Sequence, residues 1–164
     1  MNLIVAVSGD FAIGKDNDLL FNLPSDLKYF KEKTINKVVV MGERTYMSLP
    51  KRPLKNRINI VLSSNPEFVA DGAKVVHSLE ELFLELKQYD SSEVYVCGGA
   101  SVYNLLMDYC TYAYVTKVDK IVPADTYINN IDKKENWKLV SQSETMEEND
   151  LKFTFCLYKN FEVK

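Results

Sequence analysis

Short apolar runs alternate with polar stretches rich in glycine or proline along this chain, and between them lie segments whose apolar residues recur every three or four positions. Leu3 to Val7 reads as a buried strand. The stretch behind it, Ser8 to Leu23, carries Gly9, Gly14 and two asparagines. It predicts a long irregular loop, and such a loop beside a first strand is ordinarily functional or disordered. A helix follows from about Pro24 to Thr34, with proline suiting its first position. Lys37 to Met41 is another buried strand, and Gly42-Glu43-Arg44-Thr45 opens a short helix. Leu49 to Leu54 is a proline-bounded loop, and the strand from Arg57 to Leu62 stops at Ser63-Ser64-Asn65-Pro66. Val75-Val76 is a short strand and Leu79 to Leu86 an amphipathic helix. Val94 to Cys97 is a strand ending at Gly98-Gly99, before a helix from Ala100 to Met107. Tyr112 to Val118 is a further strand. Alternating Phe153, Phe155 and Leu157 predict a closing antiparallel hairpin after a strand near Trp137 to Val140.

This order predicts an α/β fold: a mainly parallel sheet covered by helices on both faces and finished by an antiparallel C-terminal edge strand. With 164 residues, the chain fits one cored domain, residues 1–164, without repeat or linker. Ligands of such sheets bind beyond the carboxyl ends of the strands.

Composition narrows the function. The formal charge is -3, and lysine and arginine are spread along the chain. No basic stripe is offered to a nucleic-acid backbone, so nucleic acid is not an expected partner. No apolar run reaches membrane-spanning length, and Met1-Asn2-Leu3-Ile4 lacks the features of a signal peptide, which predicts a cytoplasmic protein. Cys97, Cys110 and Cys156 are odd in number and embedded in apolar patterns. They fit reduced core thiols better than a disulfide frame or a metal site, and no metal is expected. Cys97 beside glycines could serve as a nucleophile, but the only histidine, His77, sits before a helix, where Ser78 and Glu81 have capping-box spacing. No apolar stripe is left over for a partner, which predicts a monomer.

The chemistry gathers at Asp26. The helical period places Leu23, Leu27 and Phe30 on one stripe, with Asp26 at its edge. An acid in a first turn is ordinarily just a favourable charge at the positive end of the helix dipole. Facing apolar side chains, however, a carboxylate costs free energy unless a polar partner arrives, and its pKa tends to rise. Those are the properties of a group that binds a cationic ring and manages a proton. Three strand ends offer phosphate sites: Gly42 to Thr45, Ser63-Ser64, and Gly98-Gly99-Ala100-Ser101. Each alone is commonly just a turn; together they point to an extended polyanion. The Gly-x-Gly-x-x-Gly dinucleotide fingerprint is absent after the first strand.

Taken in order, these residues resemble the dihydrofolate reductase family in its single-domain bacterial form. The resemblance rests on Ile13-Gly14 with Asn17, Asn22-Leu23-Pro24-x-Asp26-Leu27-x-x-Phe30, Val40-Met41-Gly42-x-x-Thr45, Arg52-Pro53-Leu54, Arg57-x-Asn59-Ile60-Val61-Leu62-Ser63, Cys97-Gly98-Gly99-x-x-Val102-Tyr103, Thr116 and Asp125-Thr126. It implies an eight-stranded central sheet and hydride transfer from NADPH to 7,8-dihydrofolate, with dihydrofolate and antifolate inhibitors as ligands. By the same resemblance Asp26 and Thr116 hold the pterin. Val5, Ala6, Leu27, Phe30, Leu49 and Leu54 line an apolar slot, and Arg57 meets the substrate's glutamate carboxylate. Phe21 stands at a catalytic lid position, and a water delivers the proton to the pterin. Cofactor contacts fall on Ala6, Ile13, Gly14, Asn17, Leu19, Gly42, Arg44, Thr45, Leu62, Ser63, Ser64, Cys97, Gly98, Gly99, Ala100, Ser101, Val102, Tyr103 and Thr126. The Gly98–Gly99 bond is cis in this family, and Gly9 to Leu23 is its mobile lid.

Three departures stand out. Phe21 replaces a usual tryptophan, with Leu20 rather than proline before it, so an indole N–H is missing. Glu43 and Ser101 fall where arginines are frequent, which weakens the expected preference for NADPH over NADH. Pro50-Lys51 lengthens the loop before Arg52. Two rivals remain: the pyrimidine-sugar reductase of riboflavin synthesis, which shares the fold but not the acid after Leu-Pro, and a silent nucleotide-binding module in which Asp26 is only a helix-end charge.

Overall fold

The computed structural model describes all 164 residues. In chain order the elements are β1 (Asn2–Val7), β2 (Ala12–Lys15), β3 (Asp18–Leu19), α1 (Pro24–Thr34), β4 (Val38–Gly42), α2 (Glu43–Ser48), β5 (Ile58–Leu62), β6 (Lys74–Val76), α3 (Leu79–Leu86), β7 (Val94–Val96), α4 (Ala100–Leu106), β8 (Tyr112–Val118), β9 (Thr126–Tyr127), β10 (Trp137–Gln142), β11 (Met146–Glu148) and β12 (Leu151–Asn160). The main sheet runs β10-β12-β8-β1-β7-β4-β5-β6, eight strands in a row, with β11 pairing onto β12 as a ninth. From β8 to β6 every neighbouring pair is parallel. Continuous apolar runs such as Val38-Val39-Val40-Met41 are what a strand covered on both faces requires.

Alternation along those runs splits the interior in two. Val38 and Val40 join Leu3, Val5, Val7, Ile60 and Val96 in the main core, where Leu82 of α3 and Val102 and Leu106 of α4 pack. Val39 and Met41 turn the other way and meet Val61 and Tyr46 of α2. The helices therefore cover both faces. The third core, Leu23, Val118 and Phe153, closes the end of the sheet beside the start of α1.

Two regions differ from the sequence reading. The stretch expected to be irregular, Ser8 to Leu23, holds β2 and β3, which with β9 form a small separate sheet. Its turn, Asp16-Asn17, has both residues at positive φ, a conformation that Asp and Asn tolerate, and Asp125 Oδ2 accepts the Asp16 N–H at 2.9 Å. Strands of four and two residues are too short for a hydrophobic period to register. At the other end the antiparallel finish is present, but the outermost strand is β10. The C-terminal strand β12 lies one place inward, between β10 and β8, and its hairpin partner is β11, joined through Asn149-Asp150, both at positive φ.

Candidate active site

Helix α1 starts without a cap from its own neighbours: Leu23 holds the cap position and offers no side-chain acceptor. The open donors are met from far along the chain. Glu148 on β11 accepts from the Ser25 N–H at 2.9 Å and from the Ser25 hydroxyl at 2.6 Å, while the Asn149 amide donates to the Asn22 carbonyl at 3.0 Å. The β11–β12 turn thus fastens the first turn of α1, next to Asp26.

Asp26 is turned onto β8, where the Thr116 hydroxyl donates to its Oδ1 at 2.6 Å. Thr116 is only 2% exposed. Its register partners are Ala6 on β1 and Phe155 on β12, and the Phe155 ring stacks on Tyr29 at 4.0 Å. The carboxylate therefore sits over a floor of methyl and aromatic groups. Burial there pushes the Asp26 carboxyl above its usual range, and the Thr116 hydrogen bond pulls back against it. The same desolvation, with neighbouring Tyr114 and Asp26, pushes the Tyr29 phenol up to about 12.

The apolar stripe expected on α1 is not consumed by the protein's own core. Leu23 is buried, but within the helix only Thr34 is, and Leu27 is 54% exposed. Phe30 is half-buried, with the Arg57 guanidinium 5.9 Å above its ring. Arg57 is held by its own Nε donating to Lys55 O and by Nη1 donating to the Thr34 hydroxyl, at 3.0 and 3.1 Å, and forms no ion pair with any carboxylate of the chain. Leu49 and Leu54 are half-buried against the Val39–Met41 core. The Leu54 backbone is clamped at both ends by the Asn59 side-chain amide. Val5 packs in the main core, and strand alternation sets its side chain on the face opposite Thr116.

At the neighbouring strand ends, Gly98 has φ 130 and its bond to Gly99 is cis. A Cβ on Gly99 would lie 3.1 Å from Thr45 Oγ1, and one on Gly42 would lie 3.1 Å from Val102 Cγ2. Neither position has room to spare for a side chain, and the Gly42 N–H donates to Gly98 O at 2.8 Å, which locks the two turns together. Neither α2 nor α4 has a side-chain cap, so their first backbone N–H groups face outward without a partner of that kind. With the Thr45 and Ser101 hydroxyls beside them, these groups suit a pyrophosphate. Ala100 and Leu62 pack along the main core, and Val102 is buried. Tyr103 is likewise buried, its hydroxyl donating to Ile4 O at 2.7 Å, which makes it a tie between α4 and β1. Cys97 donates its thiol to Val40 O, and burial pushes it up to about 12, which removes the nucleophile reading.

Farther out, Ser63 is buried, whereas Ser64 and Arg44 are exposed. On the small sheet Ile13 is half-buried against the main core, Gly14 faces Thr126 in register, and Asn17 and Leu19 are exposed on its hairpin. Phe21 packs against Leu23, Val118 and Phe153. His77 is half-buried, with Nδ1 3.0 Å from Ser63 O; Ser78 accepts from the Glu81 N–H as its spacing predicts. Sequence reasoning missed Tyr29, Phe155 and Glu148. The first two were visible as aromatics, but a cap reaching across more than a hundred residues leaves no local signal.

Comparison with known proteins agrees with this geometry. A family model described as Dihydrofolate reductase matches residues 1–160. The dihydrofolate reductase of Bacillus subtilis is 38% identical over 161 residues, covering 97% of this chain and 94% of the relative. That of Mycobacterium tuberculosis is 42% identical over 127 residues, 76% of this chain and 75% of the relative. A solved structure of the Enterococcus faecalis enzyme, complexed with NADP(H) and RAB-propyl, superposes with a TM-score of 0.87 at 34% identity, covering 97% of this chain and 95% of that one. No helix is long and apolar enough to cross a membrane. An acid braced by a buried threonine over an aromatic floor, beside two interlocked glycine turns, sits in a chain matched nearly end to end: this protein belongs to the dihydrofolate reductase family.

Proposed function

We infer that the chain performs the reaction of its family, the NADPH-dependent reduction of 7,8-dihydrofolate to 5,6,7,8-tetrahydrofolate, and that Asp26 with Thr116 is where the pterin is held. The observation that carries the assignment of roles is the 2.6 Å bond from Thr116 to a carboxylate whose burial already raises its pKa. A pterin edge offering two N–H donors supplies what that carboxylate lacks, and two charge-assisted hydrogen bonds offset the cost of its desolvation. Flat cationic antifolates satisfy it in the same way. Thr116 spends its proton on Asp26 and so fixes the orientation of the carboxylate, leaving a lone pair on each oxygen for the two donors of the ligand.

Leu27, Phe30, Leu49 and Leu54, with the Ala6 strand end, then border the aromatic part of the substrate. Arg57, tethered on one side only, turns its free edge to the glutamate carboxylate. Bound NADPH supplies the hydride. Gly98, Gly99, Thr45, Ser101 and the first turns of α2 and α4 would hold its pyrophosphate, and Ile13, Gly14 and Ala6 its nicotinamide end. Phe21 covers the site as an apolar lid residue. It has no N–H to hold a water, so the water that protonates the pterin is positioned by Asp26 and the substrate alone.

Cys97, Cys110 and Cys156 are all free thiols, which favours a reducing compartment, and we place the enzyme in the cytoplasm. The main sheet draws strands from both ends of the chain, β1 and β12 included, which supports a single domain over residues 1–164. Exposed apolar residues are spread over β3, α3, α4 and β10, which supports a monomer. The test is to follow nicotinamide absorbance on mixing the purified protein with NADPH and dihydrofolate, with Asp26→Asn alongside. Turnover by the parent and its collapse in the variant are expected; equal turnover in both would remove Asp26 from the mechanism.

A further inference from the structure

Asn59 is a polar side chain in an apolar layer. It stands on β5 in register with Val39 and is 2% exposed, and strand alternation turns it to the face where Val39, Met41 and Val61 pack. An apolar residue would fill that place without penalty, and a buried amide is tolerated there only with its groups bonded. Asn59 Oδ1 accepts the Leu54 N–H at 2.9 Å, and Nδ2 donates to Leu54 O at 2.9 Å and to Arg57 O at 3.1 Å. Both amide hydrogens are thereby spent.

Neither the N–H nor the carbonyl of Leu54 has a backbone partner. Asn59 gives them what a neighbouring strand would, a donor and an acceptor side by side. The turn from Leu54 to Arg57 therefore begins and ends on one side chain, while Lys55 and Asn56 between them are exposed. The Arg57 guanidinium in turn donates to Lys55 O, inside that same turn, and to the Thr34 hydroxyl. A shift of the turn is carried directly to the charge. Leu54 and Arg57 are the residues that border the aminobenzoyl ring and meet the glutamate carboxylate, so the inference rests on the substrate reading above. Asn59, buried beneath them, fixes their separation before any substrate arrives.

We propose that Asn59 is a positioning residue for the substrate's tail: by holding Leu54 and Arg57 in place it sets the preference for a dihydropterin that carries aminobenzoyl-glutamate over one that does not. The test is turnover of 7,8-dihydrofolate and of 6-methyl-7,8-dihydropterin, which lacks the tail, by the parent and Asn59→Ala at saturating NADPH, with a thermal melt of each protein. In the variant KM for dihydrofolate should rise about tenfold with kcat within about twofold, the pattern of weakened binding away from the reacting atoms. Turnover of the tail-less substrate should stay within about twofold of the parent. Should Asn59→Ala fail to fold, Asn59→Asp reads the same split, because it keeps the side-chain shape and the Leu54 N–H bond but turns an oxygen against the Leu54 and Arg57 carbonyls. An equal effect on the two substrates, a fall in kcat without a rise in KM, or loss of the fold in both variants overturns the proposal and leaves the substrate reading standing. A parent that reduces neither substrate overturns both.

Discussion

Two carboxylates in this molecule each accept a threonine or serine hydroxyl at 2.6 Å, and the two bonds do opposite things. Asp26 looks onto Ala6, Phe155 and Tyr29, and its burial makes the negative charge expensive. The pair waits for a donor. Glu43 sits on the rim of a six-residue helix, where water reaches it and its charge needs no ligand to be tolerated. There the carboxylate serves as an acceptor that ties the end of β5 to the first turn of α2. The same local bond is thus a grip for a ligand in an apolar setting and a tie between elements in a wet one.

The comparison is most sharply tested at Asp26. Asp26→Asn should lower kcat/KM about a hundredfold or more, the scale of a lost acid–base group, read from nicotinamide absorbance. The same variant should melt at a higher temperature than the parent at neutral pH. Burial holds the folded-state carboxyl above its ordinary range. The folded chain therefore binds more protons than the unfolded one between the two values, and stability falls as pH rises through that interval. Asparagine is spared that cost. A variant that is both slow and less stable would mean that the charge is not strained.

Thr116→Val comes next. Removing a hydrogen bond to a charged group costs about 1.5–3 kcal/mol, so kcat/KM should fall about ten- to a hundredfold, and Thr116→Ser should restore most of it. If the alkaline limb of the pH–rate profile follows Asp26, it should move upward in Thr116→Val, since the bond that lowers the pKa is gone. Glu43→Gln should leave the pH–rate profile in place and lower the melting temperature only slightly, since a charge-assisted contact open to water is worth about a kcal/mol or less, a contrast that separates tie from grip. The smallest effect belongs to Glu148→Gln. The bonds from Ser25 hold the Glu148 carboxyl below its usual range, so its contribution to stability is full above the ordinary glutamate range and is lost as pH falls through the depressed value. Thermal melts of parent and variant should differ slightly at pH 7 and converge in acid; no gap at pH 7 would show that the amide caps α1 as well as the charge does, and a gap that persists in acid would show that the difference does not come from the charge.

Much of this was readable beforehand, because it depended on neighbours in sequence. Val38 to Met41 had to be covered on both sides, Pro24 had to start a helix, and glycines at strand ends had to leave backbone bare. Ser78 and Glu81 cap as spaced. What escaped depended on distant partners or very short strands. The β2–β3–β9 sheet is assembled from pieces too brief to show a period, and β11 has three residues. Glu148 and Ser63 acquire their roles from carboxylate–hydroxyl contacts across the fold, which no local spacing announces.

The inward position of β12 has a consequence for synthesis. It emerges from the ribosome after every other strand of the main sheet, yet it must insert between β10 and β8 and bring Phe155 beside Thr116. Until it does, a nascent chain carries an open β8 edge and a half-built catalytic floor, exposed to chaperones and to other nascent chains. Competence for turnover therefore arrives in one late step.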